Sequence, residues 1–104
     1  MAKNKWDPKD PADIANYWFD WTDFLPIGVS ILTELVEQSI NSLYADIPAD
    51  IDVVETDFIA DSVRAKLGGG AAGVSYPMDC TITTSDGQTF QQTVWLQVKE
   101  RIIK

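Results

Sequence analysis

The feature that most limits what this chain can fold into is the two-residue alternation of its C-terminal third. Between Val74 and Thr84, Tyr76, Met78, Cys80 and Ile82 fall on one face, and Ser75, Pro77, Asp79, Thr81 and Thr83 on the other. Between Thr89 and Lys99, Phe90, Gln92, Val94, Leu96 and Val98 oppose Thr89, Gln91, Thr93, Trp95 and Gln97. Side chains of a strand point alternately to its two faces, so both segments read as half-buried strands. Ser85-Asp86-Gly87-Gln88 joins them, and Asp-Gly tolerates the positive φ of a type I′ hairpin turn. Pro77 has no amide hydrogen and is expected on an edge or facing outward. Cys80 falls among apolar residues with no base near it in sequence, which predicts an inert structural thiol. Trp95, on the polar face, is a candidate contact residue.

The rest of the chain is less regular. In Asp57–Leu67, Val63, Ala65 and Leu67 face in, with Arg64 and Lys66 out. The Gly68–Gly73 run lacks the Lys-Ser/Thr of a phosphate-binding loop and the G-x-G-x-x-G frame opening a helix, so it reads as a flexible turn. Residues 45–56 read as an acidic loop entering a strand at Ile51–Glu55. Asp46, Asp50 and Asp52 do not have the ligand spacing of an EF-hand. Residues 14–25 hold five aromatics; alternation buries Phe19 and Trp21 and turns Trp18 outward as an interface candidate. Residues 27–44 are ambiguous. Ile31, Leu32, Leu35, Val36, Ile40 and Leu43 fit one helix face, whereas Val29, Ile31, Thr33 and Leu35 fit one strand face. Residues 1–13, with Asp-Pro pairs at 7–8 and 10–11, read as an extended N-terminal arm ahead of one domain over 14–104. Trp6 is the arm's apolar anchor, set either to insert into a neighbour or to fold back on its own domain.

Charge and composition narrow the function. The 104 residues carry 16 acids and 8 bases, a net charge of −8. Twelve of the acids lie between Lys9 and Arg64, a stretch without a base; residues 1–9 and 64–104 are each net positive. Such a chain has no cation excess for nucleic-acid phosphates and little attraction to an anionic membrane. The acidic stretch is either a solvated face or one pole of a molecule that docks head-to-tail or against a basic partner. There is no histidine to activate a nucleophile and only one cysteine, so neither a His-based hydrolase, a Cys-rich metal site nor an intrachain disulfide is expected. No cofactor is expected. No signal peptide or membrane span is read in the sequence, and synthesis in a reducing cytosol is the expectation.

From Val63 to Val98 the chain is similar to an immunoglobulin-like or fibronectin-like sandwich, in which glycines, a Tyr at the head of an alternating strand and a tight hairpin lead into the last strands. Both ends together carry a closer likeness. Lys9-Asp10-Pro11-Ala12-Asp13, then Tyr17-Trp18-Phe19-Asp20-Trp21 and Leu25, opens the chain; Ile82-Thr83-Thr84-Ser85-Asp86-Gly87-Gln88 and Val98-Lys99-Glu100-Arg101 close it. These motifs, over residues 9–26 and about 58–101, resemble the fiber-tail adaptor proteins of tailed bacteriophages. The middle departs from that family, which has a short Ser/Thr-rich strand there. On the strength of the resemblance we expect a strand near 29–36, against the periodicity that favours a short helix within 31–44.

The resemblance implies an all-β, immunoglobulin-like sandwich and a virion structural protein of the tail or neck. It would join tail tube, nozzle or connector proteins to tail fibres by contact alone, in several copies of a symmetric assembly. The expected contact residues are Lys3, Lys5, Trp6 and Lys9 on the arm, and Trp18 and Trp95 on the body. Three alternatives stand beside it: a capsid decoration or head–tail joining protein; a free-standing carbohydrate- or protein-binding module stacking sugars on Trp18 and Trp95; and a small enzyme or inhibitor, with Asp50 and Asp52 as an acid–base pair.

Overall fold

The computed structural model describes residues 6–39 and 50–101. It is all-β, with no helix among the described residues. The strands are β1 (Ala15–Asp20), β2 (Ile31–Gln38), β3 (Ile51–Ile59), β4 (Ser62–Gly69), β5 (Ser75–Thr84) and β6 (Thr89–Gln97). They form two antiparallel three-stranded sheets, β1-β4-β3 and β2-β5-β6, packed as a sandwich consistent with an immunoglobulin-like fold. No described helix is long and apolar enough to cross a membrane.

Alternation places the core as expected. Val63, Ala65 and Leu67 of β4 face Tyr76, Met78, Cys80 and Ile82 of β5 and Val94 and Leu96 of β6, all buried. Phe19 of β1 and Trp21, just after it, close the core, and Trp18 is turned out. Burial pushes the Cys80 thiol up to about 12, with the indole of Trp21 acting in the opposite direction. That indole N–H has no full hydrogen-bond partner, so the soft sulfur is the nearest relief for its buried donor.

The disputed segment is a strand over Ile31–Gln38; residues 40–44 lie outside the described residues. The helical periodicity has a local cause. A bulge between Ile31 and Thr33 resets the facing, so Ile31 and Val36, five residues apart, are both buried. An odd spacing breaks the strand alternation and mimics a helix.

Four local expectations need correction. The stretch 57–67 is not continuous: a two-residue turn, Ala60-Asp61, joins β3 to β4 and holds Ala60 at φ +52°, a conformation that normally selects Gly or Asn. The β5–β6 turn is not type I′, because Gly87 has positive φ but Asp86 does not. Instead the Gly87 amide donates to Thr84 O (3.0 Å) and Thr84 N to Gln88 O (2.9 Å), a three-residue loop with glycine in the left-handed place. Pro77 is buried and sits on the central strand β5. Its absent donor costs little because β2 stops there: pairing with β5 ends at Gln38–Met78, and Ser39 N donates to Pro77 O (2.8 Å).

The glycine run is also more constrained than a flexible turn. Gly68 and Gly69 belong to β4, and Gly70, at φ +91°, is wedged against the core. A Cβ there would lie 2.8 Å from Val98 Cγ2 and 2.9 Å from Ile51 Cδ1. The turn is pinned by Gly70 N to Asp50 O (3.1 Å), Gly73 N to Val98 O (2.8 Å) and Ala71 N to the Tyr76 hydroxyl (2.7 Å).

Candidate assembly interface

The N-terminal segment starts from a simple physical demand. Strands β1 and β6 are edges of opposite sheets, so their outer backbone groups and the seam between them need cover. Residues 6–9 supply it by running parallel to β6. Trp6 N donates to Trp95 O (3.0 Å), Lys9 N to Gln97 O (2.9 Å), and Lys99 N returns to Lys9 O (2.7 Å). The Trp6 ring, half-buried, packs on Tyr17 (5.1 Å) and edge-on to Phe19 (4.8 Å). Its Nε1 donates to Trp18 O (3.0 Å), satisfying a carbonyl on the free edge of β1. Of the two roles open to Trp6, folding back on its own domain is the one seen in the single chain.

Lys9 corrects the extended-arm expectation more sharply. Its side chain is fully buried and carries no contact surface. The ammonium donates to the carbonyls of Gly69 (2.7 Å), Asp10 (2.8 Å) and, more weakly, Pro11 (3.4 Å). Burial lowers its pKa, while the charges of Asp13 and Asp10 oppose that shift. The residues around it extend the clasp. Asp10 accepts from Ala12 N (2.8 Å) and Arg101 N (2.9 Å), and the Arg101 guanidinium pairs with Asp13. Lys9-Asp10-Pro11-Ala12-Asp13 and Val98-Lys99-Glu100-Arg101 therefore meet in space. The motifs at the two chain ends are a structural clasp, which explains why their spacing is readable as a pair.

Trp18 is 46% exposed on the outer face of β1 and pairs across the sheet with Arg64. Arg64 is held from three sides, by Asp57 (Nε, 2.9 Å), Asn16 (2.8 Å) and Glu55. These hydrogen bonds raise its pKa further and pull those of Asp57 and Glu55 below the usual carboxylate range. Arg64 thus stands as an immobilised cation beside an exposed indole, a pairing enriched in protein–protein contacts. Alternation put Arg64 outward but gave no hint of this network, because its partners come from two other strands. Trp95 is half-buried on the outer face of β6, opposite Pro77. Trp6 touches the main chain of both Trp18 and Trp95, so three of the expected contact residues gather around one seam. Lys3 and Lys5 lie outside the described residues.

Of the acidic candidates, Asp50 and Asp52 lie among the described residues. Asp50 accepts from Gln38 Nε2 (3.3 Å), and Asp46 lies outside the described residues. Among the described residues no three metal-ligating side chains converge.

Comparison with curated proteins returns no match. A family model does match: the podophage GP4 fiber-tail adaptor protein gp77, over residues 9–97, from the buried lysine to the end of β6. The match spans the N-terminal half of the clasp and all six strands, and the chain belongs to the podophage GP4 fiber-tail adaptor family.

Proposed function

We propose that this protein is a non-catalytic adaptor of the phage tail, present in several copies, that links the tail tube, nozzle or connector to the fibres by protein–protein contact. The single observation that carries this beyond the family match is the seam around Trp6. An exposed Trp18 beside the fixed Arg64, with Trp95 on the other sheet, offers aromatic contacts already ordered before a partner arrives. Residues 6–13 act as a strap on the body, and Lys3 and Lys5 supply the positive charge that an acidic neighbour would meet. Lys9 contributes by holding the strap in place.

The test is a phage carrying Trp18→Ala together with Trp95→Ala. The expected result is particles that lose fibres while the purified variant keeps the wild-type melting temperature. Fully fibred particles, or a reconstruction placing the chain on the head surface, would replace this reading with the decoration-protein one. Assembly should also weaken as salt rises, because exposed charges are screened over about 10 Å at 0.1 M.

A further inference from the structure

The end of β2, the start of β3, the β4–β5 turn and the clasp around Lys9 and Arg101 lie at one end of the sandwich. At the other lie the loop from β1 to β2, the β3–β4 turn and the β5–β6 turn. That second end presents apolar side chains to solvent. Ile27 is fully exposed, Phe24 is about half exposed, and Leu32 at the start of β2 and Ile59 at the end of β3 are exposed at the same end. Single exposed apolar residues are ordinary. Here they sit on a loop fixed at both ends. Phe24 N and Leu25 N donate to Trp21 O (2.9 and 3.2 Å), Trp21 N donates to Asp61 O (2.9 Å), and Phe24 packs edge-on to the buried Trp21 (5.4 Å). Val29 N closes a turn on Pro26 O (3.0 Å) with Gly28 at φ +85°, leaving Ile27 at the apex. Ser30 and Ser85 then lock the loop to the β5–β6 turn through Ser85 N to Ser30 O (2.9 Å) and Ser30 N to Ser85 Oγ (3.0 Å).

The charge at this end has one sign. Residues 20–31, 59–62 and 84–89 include Asp20, Asp23, Asp61 and Asp86 and no lysine or arginine. We propose that this end is a second docking tip, in which Ile27 and Phe24 enter an apolar pocket rimmed by lysine or arginine on a different tail protein. A held-out apolar knob loses little conformational entropy on binding, and an acidic surround selects a basic rim. A second copy of this chain is a poor fit for that rim. Among the described cations, Lys9 is buried, Arg64 is held by Asp57 and Glu55, and Arg101 by Asp13, which leaves Lys66 and Lys99. The inference rests on the adaptor reading above, and gives the adaptor a contact surface at the end of the sandwich opposite the clasp.

The test uses tail particles assembled without this chain, to which purified protein is added and the bound amount measured after sedimentation. Ile27→Asp is expected to reduce binding at least tenfold, with Ile27→Leu retaining it. Asp23→Asn combined with Asp61→Asn is expected to weaken binding and flatten its salt dependence. Melting curves of each variant establish that the fold is kept. Wild-type binding lost on Trp18→Ala but unchanged by Ile27→Asp overturns the tip and leaves the adaptor reading standing. Failure of wild-type protein to bind at all overturns both. Self-association of the free protein that Ile27→Asp abolishes overturns the choice of partner, assigning the tip to a second copy.

Discussion

Two residues hold the ends of this molecule together. Lys9 delivers one buried ammonium to the carbonyls of Gly69, Asp10 and Pro11. Lys9→Met keeps the stem volume but leaves those acceptors short, and a buried unsatisfied group costs about 1–3 kcal/mol. The expected result is a lower urea midpoint, and a midpoint equal to wild type would show that the ammonium contributes nothing. At Gly70 the chain passes tight against core side chains. Gly70→Ala meets both the Val98 and Ile51 side chains and an unfavourable φ, for a loss of about 1–3 kcal/mol. In a domain of this size that is a fall in melting temperature of several degrees, roughly 4–8 °C per kcal/mol. An unchanged melting temperature would mean that the turn relaxes freely. Lys9 stands out in the sequence only as the first residue of a motif. Its burial is not legible there, because its strongest acceptor is 60 residues away.

At the scale of elements, the strand patterns of β4, β5 and β6 are legible because facing follows from period alone. β2 is less so, since its bulge hides the alternation, and the β3–β4 turn is hidden because Ala60-Asp61 carries no glycine or asparagine signal. The N-terminal segment is the element whose fate is least visible. Its prolines rule out helix, but nothing local says whether it crosses to a neighbour or covers its own β6. Since Trp6 fills the seam between β1 and β6, Trp6→Ala should cost about 2 kcal/mol, less than the 3–5 typical of a fully buried Trp. It should also speed hydrogen exchange at the Lys9 and Lys99 amides, which bridge the strap and the C-terminal segment. Unaltered exchange at those amides would show that the strap is held by the clasp without the indole.

For the whole molecule, the carboxylates set the response to acid. Hydrogen bonds from the Arg101 and Ala12 amides hold Asp10 low, the Thr22 hydroxyl and amide do so for Asp20, and the Arg64 guanidinium for Glu55 and Asp57. Each folded pKa lies below the ordinary 3.8 or 4.5. As pH falls the unfolded chain therefore takes up these protons first, so it binds more protons across the window between the two values. Stability is full above the ordinary values and is lost as pH drops through the folded ones. The melting temperature should be level from neutrality to about pH 5 and decline below 4.5. Arg64→Gln should flatten that decline by releasing Glu55 and Asp57, and parallel acid curves for the two proteins would reject the coupling. The net charge of −8 resolves in the same way. It is neutralised locally by Arg64 and Arg101, and stays uncompensated at the end that carries Ile27.

The inward faces of the late strands are legible in the sequence, and so is the family resemblance, which carries the expectation of an all-β class. These depend on the strand's two-residue period and on motifs a few residues long, which need no knowledge of distant contacts. Long-range packing settles Ile31–Gln38 as a strand against its helical periodicity, as the resemblance led us to expect, and it alone places Pro77 in a central strand, buries Lys9 and lays Trp6 along β6. Each of those outcomes is set by a partner far along the chain: Cys80 opposite Val36, Ser39 opposite Pro77, Gly69 beneath Lys9, Trp95 beside Trp6. Local propensity constrains a backbone to what it can adopt; which of those conformations is kept depends on the surface that packs against it.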